Sequence, residues 1–242
     1  MDNNIKLKEK YLEYIKTALK IFDFSYLDEE KFESQIENFQ RKLSVLISTD
    51  DDRTYLNFKS SCGATKGVLI FKNLSFVIKI PFLYCDGDRL CGANEAINNW
   101  DYCEQEAIRY QRAVEDGLEK VFLKTELLDW IEDYPIYIQE YANIFSGLER
   151  STYKNYIKTG TCEDEEVIRE ICESCDYYYH GLPSEWEADL FANYGEDFFK
   201  KFMNYLDNTG IDDLRSTNVG YIGKMPVLVD YAGFNYWLLY LM

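Results

Sequence analysis

Apolar residues recur at three- and four-residue steps over residues 5–22, through Leu7, Tyr11, Leu12, Tyr14, Ile15, Ala18, Leu19 and Phe22. That period predicts an amphipathic helix. Asp28-Glu-Glu opens a second stripe, Phe32, Ile36, Phe39, Leu43 and Ile47, with its acids at the electropositive end of the helix. The polar run Ser48-Thr-Asp-Asp-Asp-Arg53 closes the stripe and marks a boundary. Residues 1–50 are therefore expected to be a helical extension. Packing against the next lobe is its expected fate, and a partner-binding appendage is the alternative.

From Tyr55 the period changes to that of strands. Tyr55 and Phe58, the turn Ser60-Ser-Cys-Gly-Ala-Thr-Lys-Gly67, Val68-Leu-Ile-Phe71, Lys72-Asn73 and Phe76-Val-Ile-Lys-Ile80 read as three antiparallel strands. Gly63 and Gly67 bracket the first turn, with backbone amides between them that could face a phosphate; a glycine-containing hairpin is otherwise only a hairpin. Lys79 stands in an apolar strand, where an ammonium is costly to bury unless paired; the alternative is a lysine reaching solvent from the sheet face. After Pro81 and a turn-rich loop, a helix is expected from Asn94 through Trp100, Cys103, Ala107 and Tyr110 to Gly117, carrying Glu104 and Glu106. Val121-Phe-Leu123 and Leu127 to Trp130 read as a strand and an edge, and Ile136 to Ala142 as an alternating strand. Helices are expected at 163–180 and 184–207, the latter stopped by Asn208-Thr-Gly210.

The chemistry concentrates in Ile211 to Gly233. Asp213 and Asn218 stand five residues apart in a short polar segment. Val219, Gly220 and Tyr221, the turn Gly223-Lys224 and the run Pro226-Val-Leu-Val229 make a small hairpin that delivers Asp230 at a strand end. Asp and Asn oxygens of this kind suit a hard divalent cation that stays attached to phosphates.

These residues resemble the catalytic loop and metal-binding motif of the protein-kinase-like fold, D-L-x-x-x-N followed about a dozen residues later by D-[FY]-x-G. The resemblance spans about residues 55–233 and implies an α+β, bilobal fold. Its parts are an N-terminal helical extension (1–50), a small antiparallel-sheet lobe with one helix (51–142), and a reduced, mostly helical large lobe (143–242). It implies that Asp213 orients or deprotonates an acceptor hydroxyl, and that Asn218 and Asp230 hold Mg2+. By the same likeness Lys79 and the Gly63–Gly67 turn hold the phosphates of ATP. A helix glutamate steers Lys79; Glu106 is preferred, because Tyr110 and Ala113 continue its face, with Glu104 the alternative. Backbone groups of Glu140 to Ala142 would receive adenine, and Gln139 would stand at the inner gate. Two departures are visible: Ile211 occupies the family's histidine position, and the D-F-G shape is loosened to Asp230-Tyr-Ala-Gly233. Spacing to Asn218 favours Asp213 over Asp212 as the base. Only twelve residues come after Asp230, so the later large-lobe helices that seat a peptide are not expected.

Bulk properties narrow the choice. The formal net charge of −17 excludes a nucleic-acid groove, which needs a basic stripe, and makes a basic protein the expected macromolecular partner or substrate. ATP needs only local cations and amides. With 47% apolar residues, the chain has material for a core. Seven cysteines at irregular spacing and one histidine, His180, point to free thiols in a reducing, cytoplasmic setting rather than zinc, although Cys172 and Cys175 form a lone C-x-x-C. Neither a leader peptide nor a membrane span is expected. The function implied is an ATP- and Mg-dependent phosphotransferase. Its rivals are a nucleotide-binding pseudokinase acting as a regulatory module and an unrelated α+β domain.

Overall fold

The structure, a computed structural model, describes residues 2–48, 56, 58–63, 65–83, 101–146, 181–211 and 214–232. It is a mixed α+β chain with an N-terminal helical segment, a central antiparallel sheet and C-terminal helices. It divides into two compact units, Met1–Glu104 with Thr125–Tyr141, and Gln105–Lys124 with Ala142–Met242.

In the first unit, the two apolar stripes form α1 (Asp2–Leu19) and α2 (Glu29–Ser48). Asp28 caps α2, its carboxylate accepting the Lys31 amide at 2.8 Å. Strands β1 (Lys59–Cys62), β2 (Lys66–Phe71), β3 (Phe76–Pro81), β4 (Thr125–Ile131) and β5 (Tyr134–Glu140) build a five-stranded antiparallel sheet in the order β1-β2-β3-β5-β4. Strand alternation divides the side chains into two sets. Leu69, Phe71, Phe76, Ile78, Ile80 and Ile136 join Ile15, Leu19, Phe32 and Phe39 of the helices in one core. The N-terminal helices thus complete the sheet's own unit rather than forming a separate body. Gly67 shows how closely they pack: a Cβ there would lie 2.4 Å from the Phe32 ring. Tyr134 is fixed from both ends, stacked on Phe24 and donating its hydroxyl to the Pro81 carbonyl.

Helix α3 (Tyr102–Glu115) begins in the first unit and continues into the second from Gln105. Its cap is Asp101, which accepts the amides of Cys103 (2.9 Å) and Glu104 (3.0 Å). In the second unit, the expected single helix over 184–207 is two helices, α4 (Ser184–Tyr194) and α5 (Glu196–Thr209). Gly195 breaks it: at φ 82° it takes a conformation outside the right-handed helical region. Gly210, left-handed at φ 63°, then ends α5. A second sheet of three strands, β6 (Asn143–Ile144), β7 (Val219–Ile222) and β8 (Met225–Leu228), runs in the order β6-β7-β8. Gly220 lets β6 approach, since a Cβ there would lie 2.5 Å from the Asn143 carbonyl oxygen. Trp186, fully buried on α4, donates its indole N–H to the Gly220 carbonyl at 3.1 Å. Phe122, Trp186, Phe202, Leu206, Ile211, Leu214 and Tyr231 belong to one core that holds both the helices and the hairpin. The helix expected at 163–180, with Cys172, Cys175 and His180, lies outside the described residues.

Candidate functional site

Two groups of polar residues stand out, one in each unit. In the first unit they lie on the sheet face turned away from the α1–α2 core. The register pairs Lys79 with Val68 on one side and Tyr137 on the other, and pairs Val77 with Gln139. Lys79, Tyr137, Gln139 and Thr125 therefore share a face, together with Lys66, whose register partner is Pro81. All five are buried; Lys79 is 2% exposed and Lys66 5%. Gln139 donates its amide to Thr125 Oγ1 at 2.9 Å, and Tyr137 donates its hydroxyl to Asp101 at 2.5 Å. Burial raises the Asp101 pKa, against the lowering effect of the Tyr137 hydroxyl and the helix-cap amides. Tyr137 is pushed upward as well, by burial first and then by the Asp101 carboxylate it faces.

The glycines of the first turn have local tasks. Gly63 donates its amide to the Lys66 carbonyl at 3.1 Å, closing the β1–β2 hairpin. Gly67 sits inside β2, opposite Cys62 and Ile80, where the Phe32 ring occupies the space of a side chain. Glu140 ends β5 and is exposed, whereas Ala142, the first residue of the second unit beyond Tyr141, is buried with Leu123 and Val227.

The second unit brings Asn218 and Asp230 together. Residues Ser216–Asn218 form one 3-10 turn ahead of β7, and β8 returns beside it with Val219 opposite Leu228. At the open end of this hairpin the Asn218 carbonyl accepts two amides, Val229 at 2.8 Å and Asp230 at 3.1 Å. The Asn218 side-chain oxygen accepts the Thr217 hydroxyl at 3.2 Å. Both residues are half-buried. Tyr231 anchors the chain just beyond Asp230. It is 1% exposed, packs edge-on against Phe122, donates its hydroxyl to the Leu123 carbonyl, and its own carbonyl accepts Arg109 at 3.0 Å. Asp230 carries a carboxylate and Asn218 a side-chain amide oxygen, the donor types that hard cations take.

The chain matches no family model, no curated protein and no solved structure. Only its own residues therefore point to a function.

Asp213 and its alternative Asp212 lie outside the described residues, but both anchors of their segment are firm. Ile211 donates its amide to Leu206 at 3.1 Å, and Ile211 and Leu214 are both fully buried. Of the two helix glutamates, Glu106 is fully buried, while Glu104 is exposed on the first turn of α3. Lys66 was legible only as part of a turn. Its distance from Lys79 across the hairpin would have placed both on one face, had the turn's length been evident.

Among the described residues, Glu29, Glu33 and Cys62 form a group whose ligand atoms all lie within 4.8 Å of one another. The Cys62 thiol donates to Glu33 at 3.3 Å and lies 3.7 Å from Glu29. Burial, then the Glu33 and Glu29 carboxylates, pushes the thiol up to about 12, so it stands there as a hydrogen-bond donor.

Proposed function

We propose that this chain is an ATP- and Mg-dependent phosphotransferase of the protein-kinase-like kind, with a hydroxyl, expected on a basic protein, as acceptor. The reading rests on one observation above the others. The backbone carbonyl of Asn218 accepts the amide of Asp230, so the two residues that the likeness assigns to the metal are backbone neighbours at the end of one hairpin. Burial of Lys79 on the polar sheet face and of Glu106 on α3 adds weight, because ionised side chains are rarely buried without a task or a partner.

In this reading the Lys79 ammonium orients the phosphates, with Glu106 as its counter-charge. Backbone groups at Glu140 and Ala142 meet the adenine edge. Asn218 and Asp230 would hold the cation, whose chemistry would be to neutralise charge on the phosphates. Asp213 accepts the proton of the acceptor hydroxyl. The acceptor oxygen bonds to the γ phosphorus as the bond to the β-phosphate oxygen breaks, and ADP leaves with that electron pair.

The test is phosphoryl transfer from γ-labelled ATP to a basic protein substrate such as histone or myelin basic protein. The parent chain should transfer label; Lys79→Met and Asp230→Asn should lower the rate by about a hundredfold or more. Equal labelling by the parent and both variants would remove the assignment.

A pseudokinase that binds nucleotide without transfer is the second reading. It is supported by the Gly63 amide being spent on the Lys66 carbonyl, by Gly67 being held under Phe32, and by the buried Ile211 in place of a histidine. Thermal stabilisation by Mg·ATP with no transfer to any acceptor would select it.

A further inference from the structure

The two outer strands of the five-stranded sheet are of opposite character. β1 is four residues long and polar, Lys59-Ser-Ser-Cys62, the short hydrophilic kind that resists pairing with another chain. β4 is seven residues long, and β5 is its one strand neighbour among the described residues. Two large apolar side chains stand open on it, Trp130 at 58% exposure and Leu127 at 48%. Leu127 pairs with Tyr137 and Trp130 with Pro135, residues two apart on β5, so both lie on one face of the sheet. The bulge between Leu127 and Asp129 turns the intervening residues the other way. Leu128 packs on the α1–α2 core, and the Asp129 carboxylate meets Lys16 of α1 at 3.1 Å. Leu128 also lines a groove of about 520 Å³ beside α1, together with Glu9, Lys10, Leu12, Glu13 and Lys16.

Charge selects the occupant of this edge. Glu9, Glu13, Glu126, Asp129, Glu132 and Asp133 stand along it against Lys10, Lys16 and Lys20, so carboxylates outnumber ammonium groups two to one. Glu132 and Asp133 hold the β4–β5 turn at φ 51° and 66°, left-handed values that asparagine and glycine take with less strain. A second copy of the chain would set these acids against themselves, in a protein of net charge −17. We propose that the outer edge of β4 is a docking strand for an extended segment of a basic protein, one that alternates cationic and apolar side chains. The segment's backbone adds to the open side of β4. Its cationic side chains lie towards Asp129, the α1 groove and Glu126, which is opposite Ile138 on the α1 side; its apolar ones lie beside Leu127 and Trp130. The inference needs no nucleotide and stands apart from the phosphotransferase reading.

The probe is a synthetic peptide of the length of β4 that alternates lysine and valine, titrated into the intact chain and followed by calorimetry and amide hydrogen exchange. The parent should bind it saturably below about 1 mM and exchange the amides of Thr125–Ile131 more slowly when it is bound. Trp130→Ala, at an exposed position, should weaken binding by about tenfold or more. Glu9→Lys combined with Glu126→Lys should weaken it severalfold, as should salt at about 0.5 M. A peptide with glutamate in place of lysine should not bind. Of two lysine–valine peptides methylated on alternate backbone nitrogens, one should lose binding, because only one set of amides faces β4. No binding by the parent, equal binding of the glutamate peptide, undiminished binding of both methylated peptides, or an affinity that Trp130→Ala leaves unmoved overturns the proposal. Dimerisation of the parent that Trp130→Ala abolishes would assign the edge to a second copy and overturns it as well.

Discussion

Ile78 and Lys79 are neighbours in one strand, both essentially without solvent exposure, yet their surroundings are opposite in kind. Ile78 points into a core of phenylalanines and leucines contributed by α1 and α2. Lys79 points to a face whose other buried polar members are Lys66, Tyr137, Gln139 and Thr125. Backbone and burial are nearly the same for the two; alternation alone separates them. The helix-covered face has the composition that stability asks for. The opposite face carries groups that stability alone would replace with valine or isoleucine, which marks it as the side where function is to be sought.

The largest effect is expected from moving the charge by one residue. Ile78→Lys places an ammonium among the apolar side chains of the core and should cost about 4 kcal/mol or more, enough to unfold the first unit. Loss of the cooperative urea transition of that unit would show it; a transition at the parent's midpoint would mean that the two faces are not distinct. Next in size, Phe32→Ala should cost about 3–5 kcal/mol, since this fully buried ring covers Gly67. In that background Gly67→Ala should be better tolerated than in the parent, because the obstructing ring is gone; equal costs in both would contradict the contact.

A smaller effect belongs to the polar face and is read through pH. The Asp101 pKa is raised in the folded chain, mainly by burial, so its contribution favours the folded state fully below the ordinary value of 3.8 and is lost as pH rises through the folded value. Tyr137 opposes that shift by donating to the carboxylate. Tyr137→Phe should therefore steepen the loss of stability on going from acid to neutral pH, and Asp101→Asn should flatten it. Urea midpoints across that range test the sign. Least disruptive is the thiol at the sheet's edge. Cys62, held up to about 12, should alkylate slowly with iodoacetamide at pH 8, and Glu33→Gln should speed the reaction by returning part of the thiolate. Its stabilising contribution is complete below pH 9.0 and fades as pH climbs towards 12.

The sequence exposed some of this architecture and hid the rest for identifiable reasons. Alternation of apolar residues revealed the hairpins of β2 with β3 and of β7 with β8, and the stripes of α1 and α2 were long enough to be unambiguous. Gly195 lay within an uninterrupted apolar stripe, so the break between α4 and α5 was concealed; only its positive φ reveals it. Strand β6 is two residues long, too short for any period to register. Burial of Lys79 was readable from its apolar flanks, whereas that of Lys66 depended on where the turn ended. Gly67 looked like part of a phosphate turn because composition does not distinguish a glycine needed for conformation from one needed to make room for Phe32. Proximity of Asn218 and Asp230 was foreseeable from the two-residue turn at Gly223 and Lys224, which returns the chain to its starting point.

Whether the Asn218–Asp230 hairpin holds a nucleotide-bound cation is decided most directly by calorimetric titration of the intact chain with ATP, with and without Mg2+, alongside Asp230→Asn. The parent should bind ATP, Mg2+ should tighten this binding by at least about tenfold, and the tightening should disappear in Asp230→Asn. Parent protein that takes up no ATP, or an Mg2+ effect that survives intact in Asp230→Asn, would contradict the assignment.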